Sequence, residues 1–323
     1  MTSQNSRSSL SISNRVAFTL VELLVVAGII ALLLSLLIPA VQRTREAASR
    51  AKCAGNLRQI GFALHHYEAV HTHFPPGRGM PQPAIFSAHA YLLPYTDQEC
   101  LNSAIHFDLA PATYSLGNGT TYDGTANYPA ASARVLLLAC PSDVVDQVPG
   151  SFFGATNYAA CTGTGSSANL DNADGVFFTG SSVRFEDISD GSSSTVAFGE
   201  RPLGDGQDVL PVGPQLRIKL LPGGSVPTQQ ACETSGAWYG ERGAKWIVGN
   251  YGNTLYNHAL PPNALTCDCM NTQQQAAMMS ARSRHEGGVN ILYCDGDVQF
   301  VSNRINAAIW RALATRAGGE TVD

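Results

Sequence analysis

Charge is what this chain has least of. Asp, Glu, Lys and Arg make up 14% of its 323 residues, against roughly 25% in an average soluble protein. No block of Lys and Arg occurs, and the net charge is −5, so a nucleic-acid partner is not expected. Also missing are GxSxG, HExxH and a phosphate-binding P-loop. Without a nucleophile elbow, a zinc-protease helix or a phosphate cradle, no catalytic role is expected and no catalytic residue is assigned. There is no internal repeat and no Cys-x-x-Cys pair, and Cys267-Asp268-Cys269 is too tight for an ordinary structural zinc pair. Ser, Thr, Asn and Gly fill the space that charges leave, which suits a β-rich, loop-rich domain outside the cell.

What is present is concentrated near the start. Residues 18–38, FTLVELLVVAGIIALLLSLLI, are almost pure hydrocarbon with one acid, Glu22. A helix of this length spans the roughly 30 Å apolar core of a bilayer. An ionised carboxylate at that depth costs at least about 2.5 kcal/mol, so it calls for a partner. The run is too long for the apolar region of an ordinary secretory signal, and Ile38-Pro39-Ala40 is a poor cleavage site. Beyond Pro39 the apolar residues Ala47, Ala51, Leu57, Ile60, Ala63, Leu64 and Tyr67 keep helical spacing. His71-Thr72-His73-Phe74-Pro75-Pro76-Gly77 ends the pattern. The expectation is one helix of about 55 residues, roughly 80 Å long, apolar all round in its first half and amphipathic from 39 to 73. His65, His66, His71 and His73 cluster near its end with Glu68. That grouping suits the helix dipole better than a metal.

After Gly77 the signals are short and β-like, punctuated by Pro, Gly, Asn and Ser. Residues 88–101 read as a short helix, 135–139 as a buried strand, 187–200 as a turn followed by a strand, and 306–316 as a terminal helix. Residues 290–301 read as a hairpin about Asp295-Gly296, pairing Tyr293 with Val298 and Ile291 with Phe300. The eight cysteines are even in number behind a membrane segment. Disulfides fit them best, ahead of free buried thiols, with zinc as the rival.

The stretch RVAFTLVELLVVAGIIALLLSLLIPAVQ resembles the N-terminus of type IV prepilins and type II secretion pseudopilins. The resemblance implies that residues 1–17 are a leader, that prepilin peptidase cuts between Ala17 and Phe18, and that the new amine of Phe18 is methylated. Ala17 departs from the Gly that the family usually has there. Glu22 and Pro39 fall at the family's glutamate and helix-loosening proline. By the same resemblance Glu22 would pair with the Phe18 amine of a neighbouring subunit and set the register of a filament. It implies partners too: prepilin peptidase, an inner-membrane assembly platform and other pilin-like subunits. It implies a single-pass inner-membrane protein with a cytoplasmic N-terminus and a periplasmic or extracellular domain at 74–323. Arg43, Arg45, Arg50 and Lys52, set against Arg7 and Arg15, point the other way by charge counting, but they lie on a continuing helix. The fold class implied is α+β, a pilin-like lollipop with the long helix packed on an antiparallel sheet domain.

Six segments also resemble a large bacterial family of prepilin-like proteins catalogued as domain of unknown function 1559. They are CAGNLRQIGFALHHYEAVHTHFPPG (53–77), AYLLPYTDQ (90–98), LLLACPSD (136–143), NYAA (157–160), DISDGSSSTVAFGER (187–201) and SRHEGGVNILYCDGDVQFV (283–301). The family's C-terminal mark, His then nine residues then Asp-Gly, falls on His285, Asp295 and Gly296. The resemblance implies a Cys53–Cys140 disulfide stapling the long helix to the sheet, contributing about 2–4 kcal/mol. His285, Asp295 and Asp297 are the candidates for a metal or acid/base cluster, and Asp174, Asp187, Asp190 and Glu200 add further carboxylates. Calcium at Asp295 and Asp297 is the one cofactor they suggest, since some pseudopilins bind it in a C-terminal loop. Residues 202–279, with Trp238, Trp246 and three cysteines, match no familiar pattern and are the natural seat of partner specificity.

Overall fold

A computed structural model describes residues 19–167, 169–209, 217–224 and 226–320. The proposed cleavage pair, Ala17 and Phe18, lies outside the described residues. The chain divides into two compact units, 1–47 and 48–323, and the division falls inside the first helix.

That helix, α1 (Leu20–His71), runs unbroken through Pro39, although Pro gives no N–H to the turn before it. Its start is a capping box: the Thr19 hydroxyl accepts from Glu22 N at 3.2 Å, and the Glu22 carboxylate accepts from Thr19 N at 2.9 Å. In the first unit the large apolar side chains from Leu20 to Val41 are all exposed. The helix is long and apolar enough to cross a membrane.

In the second unit α1 buries one stripe: Cys53, Asn56, Leu57, Ile60, Gly61, Ala63, Leu64 and Tyr67. The expected stripe therefore starts six residues later than Ala47, because Ala47 and Ala51 are exposed. Each large apolar side chain so buried stabilises by roughly 1.5–3 kcal/mol.

The remaining elements, in chain order, are α2 (Ala88–Leu92), α3 (Glu99–Ser103), β1 (Tyr114–Ser115), β2 (Thr121–Tyr122), α4 (Tyr128–Ala131), β3 (Tyr158–Cys161), β4 (Val196–Glu200), β5 (Ile218–Leu221), α5 (Gln229–Thr234), β6 (Ala237–Tyr239), β7 (Leu255–Tyr256), β8 (Asp268–Asn271), β9 (Ala277–Met278), β10 (Gly288–Tyr293), β11 (Val298–Ser302) and α6 (Ala307–Ala312). One sheet has the order β11-β10-β4-β3-β7 and a second the order β6-β5-β8-β9. Most pairs are antiparallel, but β3 with β7 and β5 with β8 are parallel, so the sheets are mixed. The fold is α+β, with α1 packed on the first sheet. At Gly61 an added Cβ would sit 2.9 Å from Leu292 Cδ1 and 3.3 Å from Gly296 Cα, so helix and hairpin touch backbone to backbone.

Two local expectations are corrected. Residues 135–139 do not form a strand; Leu136–Leu138 is a single 3₁₀ turn. The hairpin at Asp295-Gly296 forms, but its register is shifted by one: Leu292 faces Val298, and Asn290 faces Phe300. A two-residue type I′ turn needs positive φ at both central residues. Here Gly296 has φ 91°, and Asp295 is not among the positive-φ residues. Gly296 N donates to Tyr293 O at 3.0 Å, and Tyr293 N to Asp297 O at 2.9 Å. The loop is thus three residues long with Gly296 as the bulge. Strand β10 is buried along its whole length, so it has no polar face.

Candidate functional site

Five of the six segments quoted above converge on one point. Cys53 comes from α1, Cys140 from the loop after the 3₁₀ turn, and the two are disulfide-bonded. Glu200 ends β4, and His285 lies three residues before β10. The Cys140 Sγ stands 3.9 Å from His285 Nε2, and His285 Nε2 stands 3.2 Å from Glu200 Oε1. The four ligand-type atoms all lie within 4.8 Å of one another. Glu200 is 2% and His285 3% exposed, whereas Cys140 is half-buried.

Sheet register puts these groups there. Ile291 pairs with Gly199, so Asn290 stands beside Glu200. Asn290 donates its backbone N–H to Glu200 Oε2 at 2.7 Å and its side-chain amide to Oε1 at 2.8 Å. Tyr158 is the register partner of Glu200 on β3. Its hydroxyl donates to Cys53 O at 3.3 Å and accepts from the Asn56 amide at 3.2 Å. Asn157 accepts from Cys140 N at 2.9 Å and donates to Asp143 at 2.7 Å. Asp143 also accepts from Leu203 N at 2.7 Å and faces Arg284 at 3.5 Å. A carboxylate held by several donors stays oriented, so these side chains are fixed before anything binds.

Two spaces adjoin the cluster. A cavity of about 10 Å³, one water in size, is lined by Cys140, Glu200, Arg201, Arg282 and others. Cys140 also borders an open groove of about 1180 Å³ that Lys52, Gln59, Tyr95 and Asp146 line.

The remaining residues singled out by sequence lie elsewhere. Asp295 and Asp297 are exposed and serve their own turn: Asp297 N donates to Asp295 Oδ1 at 2.9 Å, and Gln299 donates to Asp297 at 3.0 Å. Neither belongs to a metal-type group among the described residues. His285 and the Asp295-Gly296 turn are thus joined by sequence spacing and β10, not by contact through a common ligand. Asp174, Asp187 and Asp190 are dispersed; Asp190, for example, accepts from Gly318 N at 2.6 Å and Gly319 N at 2.8 Å. Of the helix-end histidines, His65 reaches Cys294 O at 3.0 Å and His71 stacks on Tyr67. Glu22 and Pro39 sit in the exposed part of α1.

Glu200 was legible only as one carboxylate among several. The signal that finds it is an acid closing an unbroken apolar strand, Val196-Ala197-Phe198-Gly199-Glu200, where burial demands a partner. Asn290 and Tyr158 gave no such signal. A second disulfide joins Cys232 and Cys269, and Cys100, Cys161, Cys267 and Cys294 are free thiols. Burial pushes the Cys161 thiol up to about 12 and that of Cys294 well above its usual value, so neither is a nucleophile near neutral pH.

A family model described as "Protein of unknown function (DUF1559)", SBP_bac_10, matches residues 42–308, a span that holds every side chain of the cluster. No curated protein and no solved structure matches the chain.

Proposed function

The chain belongs to the family described as "Protein of unknown function (DUF1559)", and from that premise we propose that it is a prepilin-like structural subunit. In this reading prepilin peptidase removes residues 1–17, the Phe18 amine is methylated, and the mature chain joins a type II secretion pseudopilus or a type IV pilus-like fibre. It sits in the bacterial inner membrane with its N-terminus in the cytoplasm and its β-rich unit outside, touches an assembly platform and other pilin-like subunits, and carries out no catalysis.

The observation that carries the reading is α1 itself. One unbroken helix joins an exposed apolar stretch, 20–41, to a stripe buried in a folded unit. Apolar side chains exposed in such number need lipid or other helices around them. Glu22 fits an assembly contact because its carboxylate is held at the helix start by Thr19, one residue from the amine that cleavage would create. Mass spectrometry of the mature N-terminus tests the reading. A chain beginning with methylated Phe18 is the expected result. A chain that begins within residues 1–17, or near Val41, overturns it.

A second reading is favoured by the open groove beside Cys140: a membrane-anchored extracytoplasmic binding module that uses the pilin-type N-terminus only for export. Replacement of Glu22 by Ala separates the two. Normal export with loss of fibre incorporation supports the subunit; unchanged function supports the module.

A further inference from the structure

We propose that the cluster of Cys53, Cys140, Glu200 and His285 is a thiol-gated site for a soft divalent cation of the zinc class. Closed by the disulfide it binds nothing. Opened by reduction it offers two thiolates, one imidazole nitrogen and one carboxylate oxygen, a full tetrahedral set.

The geometry is already near that of a bound ion. A tetrahedron with zinc–sulfur bonds near 2.3 Å and zinc–nitrogen or zinc–oxygen bonds near 2.0 Å has ligand–ligand edges of about 3.3–3.8 Å. The His285 Nε2 to Glu200 Oε1 separation is 3.2 Å, and the Cys140 Sγ to His285 Nε2 separation is 3.9 Å. Cleaving the S–S bond lets the two sulfurs move apart to van der Waals contact, a third edge of that size, and the other three separations lie within 4.8 Å. A water-sized cavity touches Cys140 and Glu200 beside the cluster.

The surroundings are those of a metal site rather than of a disulfide alone. Glu200 is fixed by both donors of Asn290, as ligating carboxylates commonly are. Two thiolates and a carboxylate exceed the charge of a divalent ion. The buried Arg201, which lines the same cavity, offsets part of that excess; Arg282 lines it too but is paired with Asp268. A plain structural disulfide needs neither a buried carboxylate nor an imidazole beside its sulfurs.

The step balances with a thiol reductant. A thiolate entering by the groove attacks Cys140 Sγ, and Cys53 leaves and takes a proton. A second thiolate resolves the mixed disulfide, leaving two cysteine thiols and one reductant disulfide. The divalent ion then displaces one proton from each thiol as its bonds to sulfur form.

Cobalt(II), a spectroscopic stand-in for zinc, tests this on the full chain in detergent. The protein is reduced with a phosphine, which takes up the oxygen of one water as the disulfide gains two hydrogens, and the phosphine is then removed. The reduced chain is expected to bind one equivalent with thiolate-to-cobalt charge transfer and tetrahedral d–d bands, and the oxidised chain none. Glu200→Gln and His285→Asn, which keep the disulfide and can be checked for folding while oxidised, should each weaken binding by roughly tenfold or more. Cys232→Ser with Cys269→Ser should leave the signal intact. Absence of the charge-transfer band in the reduced chain overturns the proposal. So does a band that survives Cys53→Ser with Cys140→Ser, or a reduced chain that unfolds and does not refold on adding cobalt.

Discussion

Glu200 and Asp268 are both buried carboxylates at the end of a strand, one in each large sheet, yet their partners differ in kind. Asp268 opens β8 and is wholly buried. It accepts from Arg242 at 2.9 Å and from Arg282 at 2.8 Å. Burial alone would push its carboxyl up, but Arg282 and Arg242 override this and hold it below the usual carboxylate range. Two permanent cations leave it no second state. Glu200 closes β4 among partners without fixed charge: an amide, a backbone N–H and a histidine. Such a carboxylate is held in place by hydrogen bonds and not by a fixed countercharge. The difference separates a charge that builds the fold from one that is free to serve a site.

The largest expected effect comes from acid, and it falls on only one side of that contrast. Burial lowers His258 to about 3 and His89 to about 4. His258 lies against Tyr256 of β7 and Trp310, and His89 against Phe198 of β4, so both belong to the sheet of Glu200. The unfolded chain protonates both near pH 6.5, whereas the folded chain resists until about pH 3–4. Between those limits the unfolded state binds more protons, and stability falls as pH drops. Each histidine contributes about 1.4 kcal/mol per pH unit across that window, so by pH 4 the two together cost on the order of 6 kcal/mol. That is comparable to a domain's whole stability. Urea midpoints measured from pH 7 to pH 4 check this; a flat curve would remove the histidines as the acid-labile element. The Asp268 pairs should add nothing to the slope above about pH 5, because the unfolded carboxyl takes up its proton only below that.

Next in size is Asp268→Asn. The amide cannot neutralise Arg242 or Arg282, and both guanidinium groups stay buried. Breaking a buried pair in this way costs about 3–5 kcal/mol, read as a lowered urea midpoint at pH 7. A loss under about 1 kcal/mol would mean that water or a rearranged carboxylate reaches the arginines, and the contrast with Glu200 would fail.

How legible this was in the sequence depends on range. The long helix follows from local signals, an apolar run and then a stripe of period 3.6 from Leu57 to Tyr67, and both are present in α1. Its capping box is equally local, since Thr19 and Glu22 have the spacing of one, but the membrane cost of Glu22 is the louder signal at that position. The hairpin's existence was local too, while its register turned on one φ angle at Asp295. The 3₁₀ turn at Leu136–Leu138 escapes a sequence reading because a short apolar run looks the same in a strand and in a buried turn. What no local pattern carries is which strands pair. The parallel match of β5 with β8, and the meeting of Asn290 with Glu200 across ninety residues, come from packing of the whole unit. The family resemblance reached further than spacing did, since its quoted segments supply Cys53, Cys140, Tyr158, Glu200 and His285 to one place.

The smallest effect is the one that separates site from scaffold. In Glu200→Gln the side chain keeps its length, and its amide oxygen can still accept from Asn290 N. The amide nitrogen can donate to His285 Nε2 in its other tautomer. One donor on Asn290 then competes for an acceptor, so the cost should be no more than about 1.5 kcal/mol. Urea titration of the oxidised chain at pH 7 measures it beside Asp268→Asn. If the two substitutions cost the same, Glu200 is as locked as Asp268 and the cluster is scaffold. If Glu200→Gln is nearly silent in stability yet weakens cobalt binding after reduction by roughly tenfold or more, its burial beside Cys140 and His285 is explained by the ligand it takes and not by the fold it holds.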